Sequence, residues 1–145
     1  PVCVASVPAV IAGAGESVTP APRLPPCPIV LVNPGVAVST AEIFRRLDAR
    51  RGAVLPPLPK AFASVFDLAA WLKKCGNDLE APAVALAPAI ADALALVRNH
   101  APLFGAMSGS GATCFGVFAT DEDAQRAASA LKTAHPHWWI AATTL

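Results

Sequence analysis

Charged residues are scarce in this sequence. Lys, Arg, Asp and Glu make up 14% of the 145 residues and leave a formal net charge of +1, where an ordinary soluble domain carries roughly 25%. A chain this poor in basic side chains is not expected to bind nucleic acid, and Arg45-Arg46 and Arg50-Arg51 read as the solvated face of one predicted helix. Cysteine is limited to four residues, Cys3, Cys27, Cys75 and Cys114, with no C-x-x-C pair and no histidine at metal-ligand spacing, so no metal site is expected among them. They read as free thiols in a reducing, cytoplasmic setting, although an even count leaves two disulfides open. Long apolar runs are missing too. The longest, residues 81–97, is broken by Pro82, Pro88 and Asp92 and is not expected to cross a bilayer. The apolar opening, residues 2–14, has neither a starting methionine nor a basic flank. This argues against a signal peptide, and the expectation is a fragment of a longer protein.

What the chain does hold is apolar mass, 54% of its residues, much of it alanine. That predicts one domain with a tightly packed, small-residue interior. A short strand is expected at residues 2–5. A loop follows, with Gly13, Gly15 and then residues 19–28, whose five prolines forbid regular hydrogen bonding. Residues 28–33, centred on Ile-Val-Leu-Val, read as a strand covered on both faces and closed by Pro34-Gly35. Ser39 and Glu42 form a capping box that opens a helix with Ile43, Phe44 and Leu47 as its buried stripe. At the first turn of that helix Thr40 faces outward, suited to a ligand or simply to helix entry. Leu68, Trp71, Leu72 and Cys75 mark the core face of a second helix stopped by Gly76.

The polar turn at residues 77–80, in which Asp78 reads as a cap, enters a short helix. Pro88 then starts a longer one with Ile90, Leu94 and Val97 inward. Strands at residues 103–107 and 113–119 come next. Thr120 begins the last helix, with Ala124, Ala127, Ala128 and Leu131 as its packing stripe. In the last strand, residues 137–143, the adjacent Trp138 and Trp139 must face opposite sides, one buried and one partly exposed. Strand, helices, strand, strand, helix, strand is the split βαβ order of a ferredoxin-like α+β domain, a four-stranded antiparallel sheet with helices packed on one face.

Between two of those strands lies the chain's densest glycine stretch, residues 105–118, with four glycines and the serines Ser108 and Ser110. Gly109 and Gly111 accept positive φ, which lets successive N-H groups face one concavity suited to an anion. A plain hairpin turn without a ligand accounts for the same residues.

Four segments taken together, Gly-Ala-Gly-Glu (13–16), Leu-Val-Asn-Pro-Gly-Val-Ala-Val-Ser-Thr (31–40), Asn-Asp-Leu-Glu (77–80) and Ser-Gly-Ser-Gly-Ala-Thr-Cys-Phe-Gly (108–116), resemble the carboxyl-terminal half of the GHMP kinases. The resemblance covers essentially the whole chain. It implies a GHMP kinase C-terminal domain over residues 1–145, with residues 1–27 as a lead-in from an N-terminal domain and 28–145 as the ferredoxin-like core. The activity it implies is transfer of the γ-phosphate of ATP, attended by Mg²⁺, to the 2-hydroxyl of 4-diphosphocytidyl-2-C-methyl-D-erythritol, in non-mevalonate isoprenoid synthesis. Thr40 matches a substrate-side threonine; Ser108, Gly109, Ser110 and Gly111 match the motif beside the phosphates; Asn77 and Asp78 match a pair that supports the site. The family's ATP loop, an amino-terminal lysine and its catalytic aspartate have no counterpart in these residues. The chain alone is therefore expected to be inactive, with no catalytic residue and no metal ligand of its own. A free-standing ferredoxin-like module for a small ligand and a GHMP kinase for another substrate are the competing readings.

Overall fold

In the computed structural model, residues 7–13, 15–47 and 55–145 are described. The strand expected at residues 2–5, Cys3 and Arg50-Arg51 lie outside them. The first ordered element corrects the loop expected before residue 28. Strands β1 (Ala9–Ala12) and β2 (Ser17–Pro20) pair antiparallel from Ala9↔Pro20 to Ala12↔Ser17. Gly13 and Gly15 turn the chain between them with positive φ. Ala9 apart, every residue of the two strands is exposed, so neither carries the alternation that identifies a half-buried strand.

The rest follows the expected order. Strand β3 (Pro28–Asn33) leads through Gly35 to helix α1 (Thr40–Arg45). Helices α2 (Val65–Leu72), α3 (Glu80–Leu86) and α4 (Ala89–Asn99) come next, followed by strands β4 (Phe104–Met107) and β5 (Cys114–Val117), helix α5 (Asp121–Ala134) and strand β6 (Trp139–Thr144). The sheet order is β4-β5-β3-β6, antiparallel throughout. This is the ferredoxin-like α+β arrangement.

Period-two alternation along β3 divides the core. Val30 and Val32 face the larger cluster, with Ile90, Ala93, Leu94 and Val97 of α4 and the alanine stripe and Leu131 of α5. Ile29 faces the other side, where Cys27, Val117, Val65 and Leu68 pack together, so α2 covers part of the second face. Ile29, Val30 and Val32 are all buried within the chain. Helix α1 is held down by Ile43, which is 0% exposed. Phe44, expected in the same stripe, is instead 56% exposed, because one buried position suffices for a helix of six residues. Trp139 is likewise 56% exposed, while Trp138 is half-buried and stacks on His135 with ring centroids 4.3 Å apart.

Two glycines let α4 approach the sheet. Gly105 and Gly116 are partners across β4 and β5, and a Cβ on Gly116 would lie 2.8 Å from Val97 Cγ1. Branched side chains at this pair would push the helix away. Helix α4 crosses the sheet there with Val97 and reaches, at Ile90, the underside of the loop between β4 and β5.

Candidate functional site

The loop joining β4 to β5 is closed at its base by Ser108 N-H donating to Thr113 O (2.8 Å) and turns tightly through Gly111 N-H donating to Ser108 O (2.9 Å). Within that turn Gly109 has φ +54° while Ser110 keeps ordinary backbone angles, the pattern that calls for glycine at the first central position. Gly111 follows at φ +88°. Its amide is spent inside the loop and is lost to the expected row of outward N-H groups. Under the loop a Cβ on Gly111 would meet Met107 Sδ at 2.9 Å and Ile90 Cδ1 at 3.3 Å. Cys114 lies close by, fully buried, with its thiol reaching Ile90 O and Ala112 O at 3.8 Å. Burial, with a smaller push from Glu80 that Arg98 partly offsets, raises that thiol to about 11. It stays protonated at neutral pH and serves as packing.

Three segments distant in sequence meet this loop. Thr40 Oγ1 and Ser110 Oγ are 2.8 Å apart, the first turn of α1 touching the tip. Asn77 Nδ2 donates to Met107 O (3.1 Å) and Gly109 O (2.9 Å), while its Oδ1 accepts from Leu79 N-H (3.0 Å). Asn33 Nδ2 donates to Thr113 Oγ1 (3.0 Å), and its Oδ1 accepts from Gly35 N-H (2.8 Å). Thr40, Asn77, Ser108, Gly109, Ser110 and Gly111 are thus brought together. Asp78 is not: it is exposed and lines a groove with Arg46, Leu47 and Ala81. The cap expected of it is absent, since the N-cap of α3 is Leu79 without a side-chain bond. Asn77 closes the turn instead, its Oδ1 accepting from the amide two residues on while its Nδ2 is held by the loop carbonyls.

Thr40 contributes through its hydroxyl. Ser39 caps α1 by accepting from Glu42 N-H at 3.3 Å. Glu42 does not return the bond, because its carboxylate pairs with Arg46 at 2.6 Å. Two neighbours of the site escaped the sequence reading. Asn33 carried a signal, an asparagine directly before Pro-Gly at a strand end, where Asx turns form. Phe44 carried another, lying four residues after Thr40 and so on the same helix face. A groove of about 730 Å³ runs beside edge strand β4 between Leu72, Glu80, Leu94 and Arg98. Asn77 and Met107 line its end, whereas Thr40 and Ser110 do not, so the groove adjoins the polar constellation through Asn77 alone of the residues expected at the site.

A magnesium ion does not fit these residues alone. Among the described residues no three His, Cys, Asp or Glu side chains converge on one point, and the carboxylate closest in sequence to Thr40, Glu42, is engaged by Arg46. Among the same residues no helix is long and apolar enough to cross a membrane.

The geometry does not by itself name a reaction, and comparison with known proteins assigns the class. The family model described as "GHMP kinases C terminal" matches residues 55–137, and the chain belongs to the GHMP kinase family. It is similar to 4-diphosphocytidyl-2-C-methyl-D-erythritol kinase of Dinoroseobacter shibae, 47% identical over all of this chain and 51% of that protein. The kinase of the same name from Paracoccus denitrificans is 46% identical over all of this chain and 53% of its own length. The chain thus spans about half the length of the curated relatives it matches. A crystal structure of 4-(cytidine 5'-diphospho)-2C-methyl-D-erythritol kinase superposes with a TM-score of 0.67 at 29% identity, covering 90% of this chain and 47% of that one. Homoserine kinase from Cytophaga hutchinsonii shares the fold, with a TM-score of 0.57 at 18% identity over 88% of this chain.

Proposed function

We propose that this chain is the C-terminal part of a kinase that transfers the γ-phosphate of ATP to the 2-hydroxyl of 4-diphosphocytidyl-2-C-methyl-D-erythritol, a step of non-mevalonate isoprenoid synthesis in the cytoplasm. The observation that carries the reading is the 2.8 Å contact between Thr40 and Ser110. It joins the helix entry assigned to the alcohol with the glycine turn assigned to the phosphates. In this division of labour the Gly109 and Ser110 amides supply hydrogen-bond donors to phosphate oxygens. Thr40 orients the acceptor, and Asn77 keeps the turn in shape. Phe44, exposed one turn beyond Thr40, offers a flat apolar face to a planar group such as the base of a cytidyl substrate. Transfer of this kind depends on positioning and charge neutralisation. Magnesium bound with the nucleotide would supply part of that neutralisation, from ligands other than the residues described here.

The proton-accepting group and the ATP loop belong, in this reading, to an N-terminal domain, for which residues 1–27 form the lead-in and 28–145 the partner core. Hairpin β1–β2 supports the division. Ile11 is 53% and Val18 47% exposed on a two-stranded ribbon, and such a ribbon is marginal in water unless further strands or helices cover it. The test is ATP-dependent phosphorylation of the cytidyl-erythritol alcohol by the complete native polypeptide and by this chain alone. Turnover is expected from the first only. Thr40→Val in the complete polypeptide raises the KM for the alcohol or lowers kcat about tenfold. Equal turnover by the isolated chain, or unchanged constants for Thr40→Val, would refute the assignment.

A further inference from the structure

We infer that Asn33 is a positioning residue that fixes the glycine loop and the lead-in to Thr40 in one relation to each other. The inference rests on the kinase reading of those two elements. Its two amide ends do different jobs. Nδ2 donates 3.0 Å to Thr113 Oγ1 at the start of β5, on the outgoing stem of the loop. Oδ1 accepts 2.8 Å from Gly35 N-H, where φ +76° turns the chain toward α1. Beyond these anchors the two segments meet again at their tips, Thr40 and Ser110. Asn77 holds the incoming stem through Met107 O and Gly109 O, so each stem is gripped by one asparagine. Among the described residues, Asn33 is the side chain bonded both to a stem and to the segment that delivers Thr40.

An amide does this without adding charge. Gly35 N-H meets the acceptor and the Thr113 hydroxyl meets the donor of the one Asn33 amide. A leucine of similar volume removes both bonds, and valine at Thr113 removes one while keeping the branched shape. A displaced acceptor or phosphate loop weakens interactions made in the transition state more than those made in the ground state. The loss is therefore expected in kcat rather than in KM.

The experiment is a double-mutant cycle of Asn33→Leu and Thr113→Val in the complete native polypeptide, measuring kcat, both KM values and the melting temperature. Each variant is expected to lose about tenfold or more in kcat with KM within about threefold of the parent. The double variant is expected to be no slower than Asn33→Leu alone, because the shared bond is lost only once. If Asn33→Leu fails to fold, Thr113→Val decides by itself. A kcat within twofold of the parent for Thr113→Val overturns the inference, as does a double variant whose losses multiply. A parent polypeptide that transfers no phosphate overturns the kinase reading, and the inference with it. A parent that is active while the cycle is additive overturns the inference alone.

Discussion

Gly116→Ala tests whether the seat of α4 on the sheet depends on the bare backbone of β4 and β5. The new Cβ would lie 2.8 Å from Val97 Cγ1, 3.1 Å from Phe118 Cε2 and 3.3 Å from Pro102 Cβ. Val97 and Phe118 are 1% and 2% exposed, so neither has open space to retreat into. Overpacking of this kind costs about 1–3 kcal/mol. Alanine at a position with ordinary φ also restricts the unfolded chain and returns about 0.4–1 kcal/mol. The net loss is about 1–2 kcal/mol, or roughly 2–8 °C in Tm for a protein of this size. Gly105→Ala, whose nearest neighbour would be Arg98 Cγ at 3.3 Å, should lose less. Gly76→Ala, with nothing within 4 Å, is the control and should be neutral or more stable by up to about 1 kcal/mol. Chemical denaturation of the four proteins at pH 7 reads the series directly. Gly116→Ala as stable as the parent, or Gly76→Ala as damaging, would refute the argument that α4 rests on the glycine pair.

Gly111→Val adds bulk 2.9 Å from Met107 Sδ at a residue with φ +88°, so in the complete polypeptide kcat should fall at least tenfold, and turnover near the parent's removes the loop from the phosphates. Phe44→Ala should leave stability within about 0.5 kcal/mol, the range for exposed sites, yet raise the KM for the cytidyl alcohol severalfold, and an unchanged KM would leave its ring without a role. The Cys114 thiol, raised to about 11 by burial, stays protonated in the folded state while the unfolded thiol ionises near its ordinary value. Stability should therefore fall as pH rises from about 9 toward 11, by on the order of 2 kcal/mol. Urea titrations should show a shallower fall for Cys114→Ala over that window and no difference in slope below pH 8.

The helices were legible because their signals are local. Ser39, Ser64 and Thr120 each accept from an amide three residues on, and the alanine stripe of α5 is buried at the spacing read from sequence. The β-strands of the sheet were legible from apolar runs between turn residues. The hairpin β1–β2 was not, because its strands, Ala-Val-Ile-Ala and Ser-Val-Thr-Pro, are short and almost wholly exposed and lie between glycines and prolines that read as loop. The loop and Thr40 stood out as candidates from residue type and from resemblance. Their meeting did not, since Thr40 and Ser110 are 70 residues apart and Asn33 and Thr113 are 80 apart. Contacts across such separations depend on which strands become neighbours, and local pattern carries no record of that. Asn77 and Asp78 show the same limit at short range. Either side chain can close a turn, and the carbonyls of the loop, distant in sequence, select Asn77.

The side-chain bonds to strand β4 bear on how the molecule behaves in a crowded solution. β4 is an outer strand of the sheet, and its backbone on the free side is a template on which a foreign strand can polymerise. Two of its carbonyls are already occupied. Arg98 holds Gly105 O at 3.2 Å and Asn77 holds Met107 O at 3.1 Å. An incoming strand would have to displace both. The asparagine that shapes the loop thus also guards the sheet against self-association along that margin.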